Sequence, residues 1–189
     1  MKAKFLLHTT FLLVLVTGVY GCKKHGPAGP TLPPLTHEGK NTFGCLVNGA
    51  VYLPKAPLFG SPVSCYYQKL YPGSDGYVFV VSGERNPLNS CEVSIVTIYV
   101  DSISLQTGSK FELRARPPGK HRGAFRDAND CTNESRRYVT SDTQTGELNI
   151  TYFNQTLGIV SGTFWFDGID EFGNIVHITE GRFDMQYIN

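Results

Sequence analysis

The chain has 189 residues, a length typical of one folded domain, and 17% of them are charged while 12% are aromatic. Removal of residues 1–21, which hold two lysines and no acidic residue, leaves 15 Lys and Arg against 16 Asp and Glu, a net charge of −1. A nearly neutral chain lacks a global basic field, which argues against a nucleic-acid partner. The 20 glycines, 11 prolines and many aromatic residues favour short strands joined by tight turns.

The first 22 residues have the features of an export signal. Two lysines precede an apolar stretch that is densest from Phe11 to Val16, and this stretch is shorter than the about 20 residues of a transmembrane helix. The pattern predicts a secretory signal peptide over residues 1–21. The stretch ends in VYGC, which resembles the lipobox of bacterial lipoproteins. The resemblance implies cleavage before Cys22 and lipidation of its thiol, palmitate included; an ordinary signal peptide followed by a chance cysteine is the alternative.

Residues 22–40 are predicted to form a tether between the lipid anchor and the folded domain. The glycines and prolines from Gly26 to Pro34 support neither a helix nor an inner strand. Such a linker is extended and semi-rigid. We therefore expect a β domain over residues 41–189 that is held at the outer membrane, on either its periplasmic or its surface face.

Three stretches of sequence resemble a known family. They are LPPLTHEGKNTFGCLVNGAVYLP (Leu32–Pro54), GIVSGTFWFD (Gly158–Asp167) and VHITEGRFDMQY (Val176–Tyr187). They are similar to the opening and closing stretches of a family of Bacteroidota lipoproteins, in which LPP-x-T-x-x-G-x-NTFGC-x-VNG-x-x-W follows the lipobox. Tyr52 stands where that family usually has Trp. The resemblance implies an envelope lipoprotein with a β fold, and it carries no activity and no functional residue.

Period-two apolar patterns predict a series of strands. Thr42–Val47 and Ala50–Leu53 flank Asn48-Gly49, the strongest short signal for a hairpin turn. Further strands are predicted at Tyr77–Ser82, Glu92–Val100, Lys110–Ala115, Leu148–Tyr152, Ile159–Phe166 and Ile175–Tyr187. In the last of these the apolar phase switches at Gly181, which predicts a β-bulge there. Eight or nine strands in sequential hairpins predict an all-β fold, either an antiparallel sandwich or a flattened up-and-down barrel.

Residues 114–137 are predicted to form a long basic loop. The prolines and glycines from Pro117 to Gly123 interrupt every strand pattern. Arg114, Arg116 and Arg122 in this segment are candidates for binding an anionic ligand, such as an acidic glycan or a lipopolysaccharide phosphate, through guanidinium forks. A solvated loop with no ligand is the alternative.

Four cysteines remain after Cys22 is set aside for the lipid. Cys45, Cys65, Cys91 and Cys131 are an even set in an oxidising compartment, which favours two disulfides in one of three pairings. Buried free thiols are the alternative. Their spacing fits no zinc site, and we expect neither a metal nor a cofactor.

Two groups of polar residues near the end of the chain are candidate sites. Trp165 and Asp167 are candidate glycan contacts, and nearby acids such as Asp170 suggest a carboxylate-dependent glycan hydrolase as a further alternative. Tight-turn chemistry and a half-buried sheet aromatic explain the same residues without a ligand. Glu180, Arg182 and Asp184 alternate along the last predicted strand, which predicts a solvated row of charges, with a small binding cluster as the alternative.

No motif names a reaction, so we do not expect an enzyme. The sequence predicts a lipid-anchored envelope protein whose non-catalytic β domain binds or scaffolds a glycan, a lipid or a protein. A carrier that holds a small lipid or glycan inside a barrel is the first alternative, since barrels of about eight strands can enclose one small ligand. The hydrolase is the second.

Overall fold

A computed structural model describes residues 29–55, 60–69, 76–88, 90–115 and 121–188 of the chain. The predicted signal peptide, Cys22 and Arg116 lie outside the described residues. The compact unit that contains the β domain starts at Leu32, so it includes the last nine residues of the predicted tether. Among the described residues, none belongs to a helix with the length and apolar character needed to cross a membrane.

The described residues fold into antiparallel strands, which confirms the predicted all-β class. They are β1 Thr42–Val47, β2 Ala50–Tyr52, β3 Val63–Gln68, β4 Tyr77–Arg85, β5 Glu92–Ile103, β6 Lys110–Leu113, β7 His121–Asn129, β8 Glu134–Val139, β9 Gly146–Asn154, β10 Ile159–Ile169 and β11 Ile175–Gln186. These eleven described strands exceed the eight or nine that were predicted, because β3, β7 and β8 were not predicted; β3 is short, and β7 and β8 lack a clear apolar alternation.

All of these strands belong to one sheet that forks at β10. The main order is β2-β1-β11-β10-β8-β7-β5-β4-β3, and β6 and β9 form a side branch. Strand β11 pairs along one edge of β10. On the other edge, β9 pairs with Ile159–Phe166 and β8 pairs with Ile169, so the two strands leave β10 at different ends. The branches β9-β6 and β8-β7 therefore diverge from one strand.

The sheet curls until its two ends meet. Lys55, just after β2, forms a parallel bridge with Arg85 at the end of β4. Ile188, just after β11, forms a second parallel bridge with Tyr66 in β3. Curling of this kind follows from the twist of a long sheet and places one face inside.

The hairpin turn and the β-bulge that the sequence predicts are both confirmed. Asn48 and Gly49 have φ values of 49° and 82° and join β1 to β2. In β11, the register shifts by one residue between Ile178 and Gly181 against β10, and between Thr179 and Arg182 against β1. Glu180 lies in this bulge with a φ of 51°, the left-handed region that non-glycine residues seldom adopt.

Aromatic rings packed onto glycines fill the interior near the bulge. Phe164 in β10 lies opposite Gly181 in β11, and Phe183 in β11 lies opposite Gly162 in β10. A β-carbon at Gly181 would lie 2.5 Å from the ring of Phe164, so each ring occupies the space that a side chain would take. Cross-strand pairs of glycine and aromatic residues pack a curved sheet closely.

The prediction of a long loop at 114–137 is wrong for the residues from His121 onward. Strand β7 pairs with β5 over nine residue positions, and β8 returns along β7. The long β-branched run of β5 offers a complete edge, and its ladder outweighs the weak strand propensity of β7. Gly123 in β7 also leaves room for the ring of Phe166, which packs against it.

One of the two expected disulfides is present. Cys91, just before β5, is bonded to Cys131 in the turn between β7 and β8, with their α-carbons 5.3 Å apart. The expectation of a second disulfide is wrong, because Cys45 in β1 and Cys65 in β3 are free thiols. Both are buried among apolar side chains, and burial raises the pKa of Cys45 to about 12. They act as small apolar residues of the core.

Asp184 in β11 is buried and holds the start of the compact unit against the sheet. Its side chain accepts hydrogen bonds from the Thr36 hydroxyl at 2.5 Å and from the backbone amides of Glu38 and Gly39 at 3.0 and 2.8 Å. The Ser161 hydroxyl adds a bond of 2.8 Å. Burial opposes ionisation, but these donors outweigh it and lower the pKa of Asp184 to about 2. Asp184 is therefore not part of a solvated row of charges.

Replacement of Asp184 by Asn should lower the free energy of unfolding by about 3 kcal/mol, because several donors lose a charged acceptor inside the protein. Chemical denaturation measures this loss. The same change at Asp142, whose side chain is 82% exposed, should shift stability by no more than about 0.5 kcal/mol.

The Asp184 carboxyl should also set the acid sensitivity of the domain. Its pKa falls from 3.8 to about 2 on folding, so its contribution of about 2 kcal/mol is complete above pH 4 and is lost as the pH falls towards 2. The Asp184→Asn variant should lose less stability over that interval. Equal losses in the variant and the wild type would contradict this role.

Candidate functional site

A row of polar and aromatic side chains lies on the outer face of β10. Phe164 and Phe166 point into the core, so the alternating residues Thr163, Trp165 and Asp167 point outward. The Trp165 side chain stays 44% exposed. The period-two pattern thus brings the predicted contacts Trp165 and Asp167 onto one face.

Charged side chains flank Trp165 on both neighbouring strands. Glu147 in β9 lies directly opposite it and forms an exposed ion pair with Lys110 at 3.7 Å. On the other side, Glu180 in the bulge of β11 pairs with Arg182 at 3.4 Å. These residues form a cleft of about 210 Å³, here named the tryptophan cleft and lined by Leu35, Glu147, Thr163, Phe164, Trp165, Glu180, Gly181 and Arg182.

Two acids near Trp165 have partners that limit their chemistry. The carboxylate of Asp167 in β10 is hydrogen-bonded to Nδ1 of its cross-strand neighbour His177 in β11, at 2.7 Å. Asp170 accepts bonds from the amides of Phe172 and Asn174 in the turn before β11. Burial disfavours the charged carboxylate and raises its pKa, but the hydrogen bonds stabilise the carboxylate and hold the pKa of Asp170 below its ordinary value. The turn chemistry predicted for this segment therefore accounts for Asp170.

The fork in the sheet creates a second cleft between its two branches. At the fork, the Arg114 amide just after β6 donates to the carbonyl of His121 in β7, at 3.0 Å. The Thr140 amide just after β8 donates to the carbonyl of Gly123, also at 3.0 Å. These bonds hold the ends of β6, β7 and β8 together where the regular ladders stop.

Arginine side chains from three chain segments converge on this cleft. It measures about 480 Å³, is here named the arginine cleft, and is lined by Arg114, Ala115, Arg122, Arg137, Val139 and Thr140. The guanidinium of Arg122 lies 4.2 Å above the ring of Tyr99, which orients it. Arg114 forms two exposed ion pairs, at 3.4 Å to Glu112 and 3.9 Å to Asp142.

The sequence identified part of this cleft. Arg114 and Arg122 were predicted as anion contacts and do lie together, whereas Arg116 is outside the described residues. Arg137 was not singled out, since the fold that returns β8 along β7 was not foreseen. The basic character predicted for residues 114–137 was the signal that pointed to it.

Thr140 borders the arginine cleft with an unsatisfied polar atom. The residue is only 3% exposed, and its hydroxyl oxygen has no hydrogen-bond partner among the described residues. Buried hydroxyls are nearly always bonded, so the Thr140 hydroxyl is an exception at the edge of the cleft. In the described ranges, no cluster of three or more His, Cys, Asp and Glu side chains is arranged for a metal ion.

Comparisons with known proteins give no information on function, so only the geometry of the two clefts bears on it. No protein-family model, no curated protein and no solved structure matches the chain. Both clefts lie on the surface of the described domain, and they differ in chemistry: one is basic, and the other combines an exposed indole with acids.

Replacement of Thr140 by Val should raise the free energy of unfolding of the ligand-free domain by about 1 kcal/mol, because it removes a buried hydroxyl that has no partner. Ser161→Ala is the matched control. Its buried hydroxyl donates to Asp184 at 2.8 Å, so the loss should destabilise by about 1–2 kcal/mol. Chemical denaturation measures the stability of both variants. Destabilisation by Thr140→Val would contradict the conclusion that the Thr140 hydroxyl has no partner.

Proposed function

We propose that this chain is an exported, lipid-anchored protein of the cell envelope whose β domain is a non-catalytic binding module for an acidic glycan. The observation that carries the proposal is the convergence of Arg114, Arg122 and Arg137 on one cleft at the fork of the sheet. Three guanidinium groups provide fork-shaped donors for carboxylate, sulfate or phosphate groups.

The electrostatics of the arginine cleft favour an anionic ligand. The ion pairs of Arg114 with Glu112 and Asp142 are exposed, and such pairs contribute about 0–1 kcal/mol. A ligand anion can therefore replace them at small cost. Arg122 is already oriented by Tyr99, so less side-chain freedom is lost when it binds.

The size and place of the arginine cleft suit a glycan. Its volume of about 480 Å³ lies in the range of about 300–1,000 Å³ that small-molecule sites occupy. The near-neutral charge of the mature chain disfavours nucleic acid. Aromatic rings such as Phe164 and Phe183 occupy the interior, which favours a surface site over a carrier pocket.

A binding module rather than a hydrolase fits the acids near Trp165. The Asp170 carboxylate is engaged by three hydrogen bonds within its own turn. Asp167 is paired with His177 on an exposed strand surface. A glycosidase needs two carboxyl groups set across the bond that it cleaves, and the engagement of Asp170 removes one candidate.

The triple replacement of Arg114, Arg122 and Arg137 by Gln should lower the affinity for polygalacturonate at least tenfold, because it removes the guanidinium forks. The affinity of the wild type should fall steeply as salt is raised, and that of the triple variant should fall less. Isothermal titration calorimetry at several salt concentrations measures both.

The matched control carries Gln in place of Lys40, Lys55 and Arg85, which changes the net charge equally outside the arginine cleft. This variant should bind within about twofold of the wild type, because screened charges elsewhere act weakly. Equal losses in the two triple variants would reduce the effect to net charge. An unchanged affinity in the cleft variant would end the proposal.

The lipid anchor is tested separately at Cys22. Replacement by Ala should move the protein from the membrane fraction to the soluble fraction and abolish metabolic labelling with palmitate, because the thiol is the proposed acceptor. Lys23→Ala, one residue later, should keep both the label and the membrane association. Labelling that persists in the Cys22→Ala variant would refute the anchor without touching the binding proposal.

A further inference from the structure

We propose that the tryptophan cleft is a sugar-ring subsite, in which a pyranose stacks on the indole of Trp165 while the surrounding side chains bind its hydroxyl groups. The inference rests on the proposed function, because it assigns a binding site to the uncharged ring of a sugar in the same acidic glycan. Glycans have apolar C–H faces and polar edges, and the cleft offers a surface for each.

The exposure of Trp165 provides the stacking surface. The side chain is 44% exposed although its neighbours in β10, Phe164 and Phe166, are fully buried. Alternation along the strand explains why it points outward, and the pairing of β10 with β9 and β11 on both sides keeps its backbone rigid. A rigid, flat and amphipathic ring on a strand is suited to stacking with little loss of entropy.

The polar side chains around Trp165 match the edge of a sugar. Glu147 on β9 and Glu180 on β11 provide carboxylate acceptors on opposite sides of the indole, and Arg182 provides donors. The Thr163 hydroxyl, one step along β10, can donate or accept. The ion pair of Glu147 with Lys110 is long, at 3.7 Å, and exposed, so a sugar hydroxyl can displace it.

The bulge in β11 provides an independent observation at the same place. Glu180 is held at a φ of 51°, an unfavourable backbone conformation for this residue type. Bulges of this kind re-aim side chains and occur often beside binding sites. Here the extra residue places Glu180 against the cleft while Gly181 passes beneath the ring of Phe164.

The strand register places the two clefts on one continuous face. Leu113, the residue before Arg114, pairs with Gly146 in β9, and Gly146 pairs on its other side with Phe166, the residue before Asp167. Arg114 and Asp167 are thus two strands apart, about 10 Å at the usual strand spacing. Trp165 is one step further along β10. One oligosaccharide can therefore place an acidic group in the arginine cleft and a ring on Trp165.

Trp165 is the only tryptophan in the chain, so its fluorescence reports directly on this subsite. Titration of the wild type with polygalacturonate should shift or quench its emission, with the same midpoint that calorimetry gives. Fully methyl-esterified pectin keeps the rings and removes the charges. It should bind at least tenfold more weakly and still change the emission.

Replacement of Trp165 by Ala should lower the affinity for polygalacturonate at least tenfold, while Trp165→Phe, which keeps a smaller ring, should lose about threefold. Glu147→Gln should lose affinity without a change in the circular dichroism spectrum. Tyr66→Ala is the matched control: this ring is 37% exposed in β3, at the far end of the strand order, and lines neither cleft, so its removal should not change the affinity.

The outcomes separate this inference from the proposed function. Binding that leaves the Trp165 emission unchanged, with an unaffected Trp165→Ala variant, overturns the subsite and leaves the arginine cleft standing. Loss of binding in the Trp165 variants but not in the Gln triple variant supports the subsite and overturns the proposed arginine contacts. Failure of the wild type to bind any member of a panel of carboxylated, sulfated and neutral glycans overturns both.

Discussion

The buried carboxylate of Asp184 is the interaction on which the arrangement of this domain depends. It lies in β11, between β1 and β10, and gathers hydrogen bonds from Thr36, Glu38 and Gly39 on one side and from Ser161 on the other. A charge inside a protein is stable only when its hydrogen-bonding capacity is filled. The segment before β1 must therefore lie against β11, and the β1–β2 hairpin follows it into the sheet.

The fork at β10 explains why the two clefts occur on a single face. Strand β10 is longer than either of the strands that share its second edge, so β8 and β9 each cover only part of it. The gap between their branches becomes the arginine cleft, and the uninterrupted part of the outer face holds Trp165. One irregularity of topology and one bulge therefore shape the two clefts.

The features that were predictable from the sequence are those encoded by neighbours along the chain. Asn48-Gly49 specifies its turn locally, and the phase switch at Gly181 reveals the bulge, because each depends on a few consecutive residues. The pairing of β7 with β5, the selection of Cys131 as the partner of Cys91, and the burial of Asp184 depend on residues far apart in sequence. Their stability comes from long-range ladders and packing, which local propensity does not record.

The closure of the curled sheet has a consequence for how this protein behaves when many copies are close together. Unpaired strand edges recruit other chains, yet here residues just after β2 and β11 cover parts of β4 and β3, through bonds such as that from the Ile188 amide to the Cys65 carbonyl at 3.0 Å. Two short parallel bridges form this seam. It is shorter than most ladders in the sheet, so we expect exchange of strands between copies to begin there.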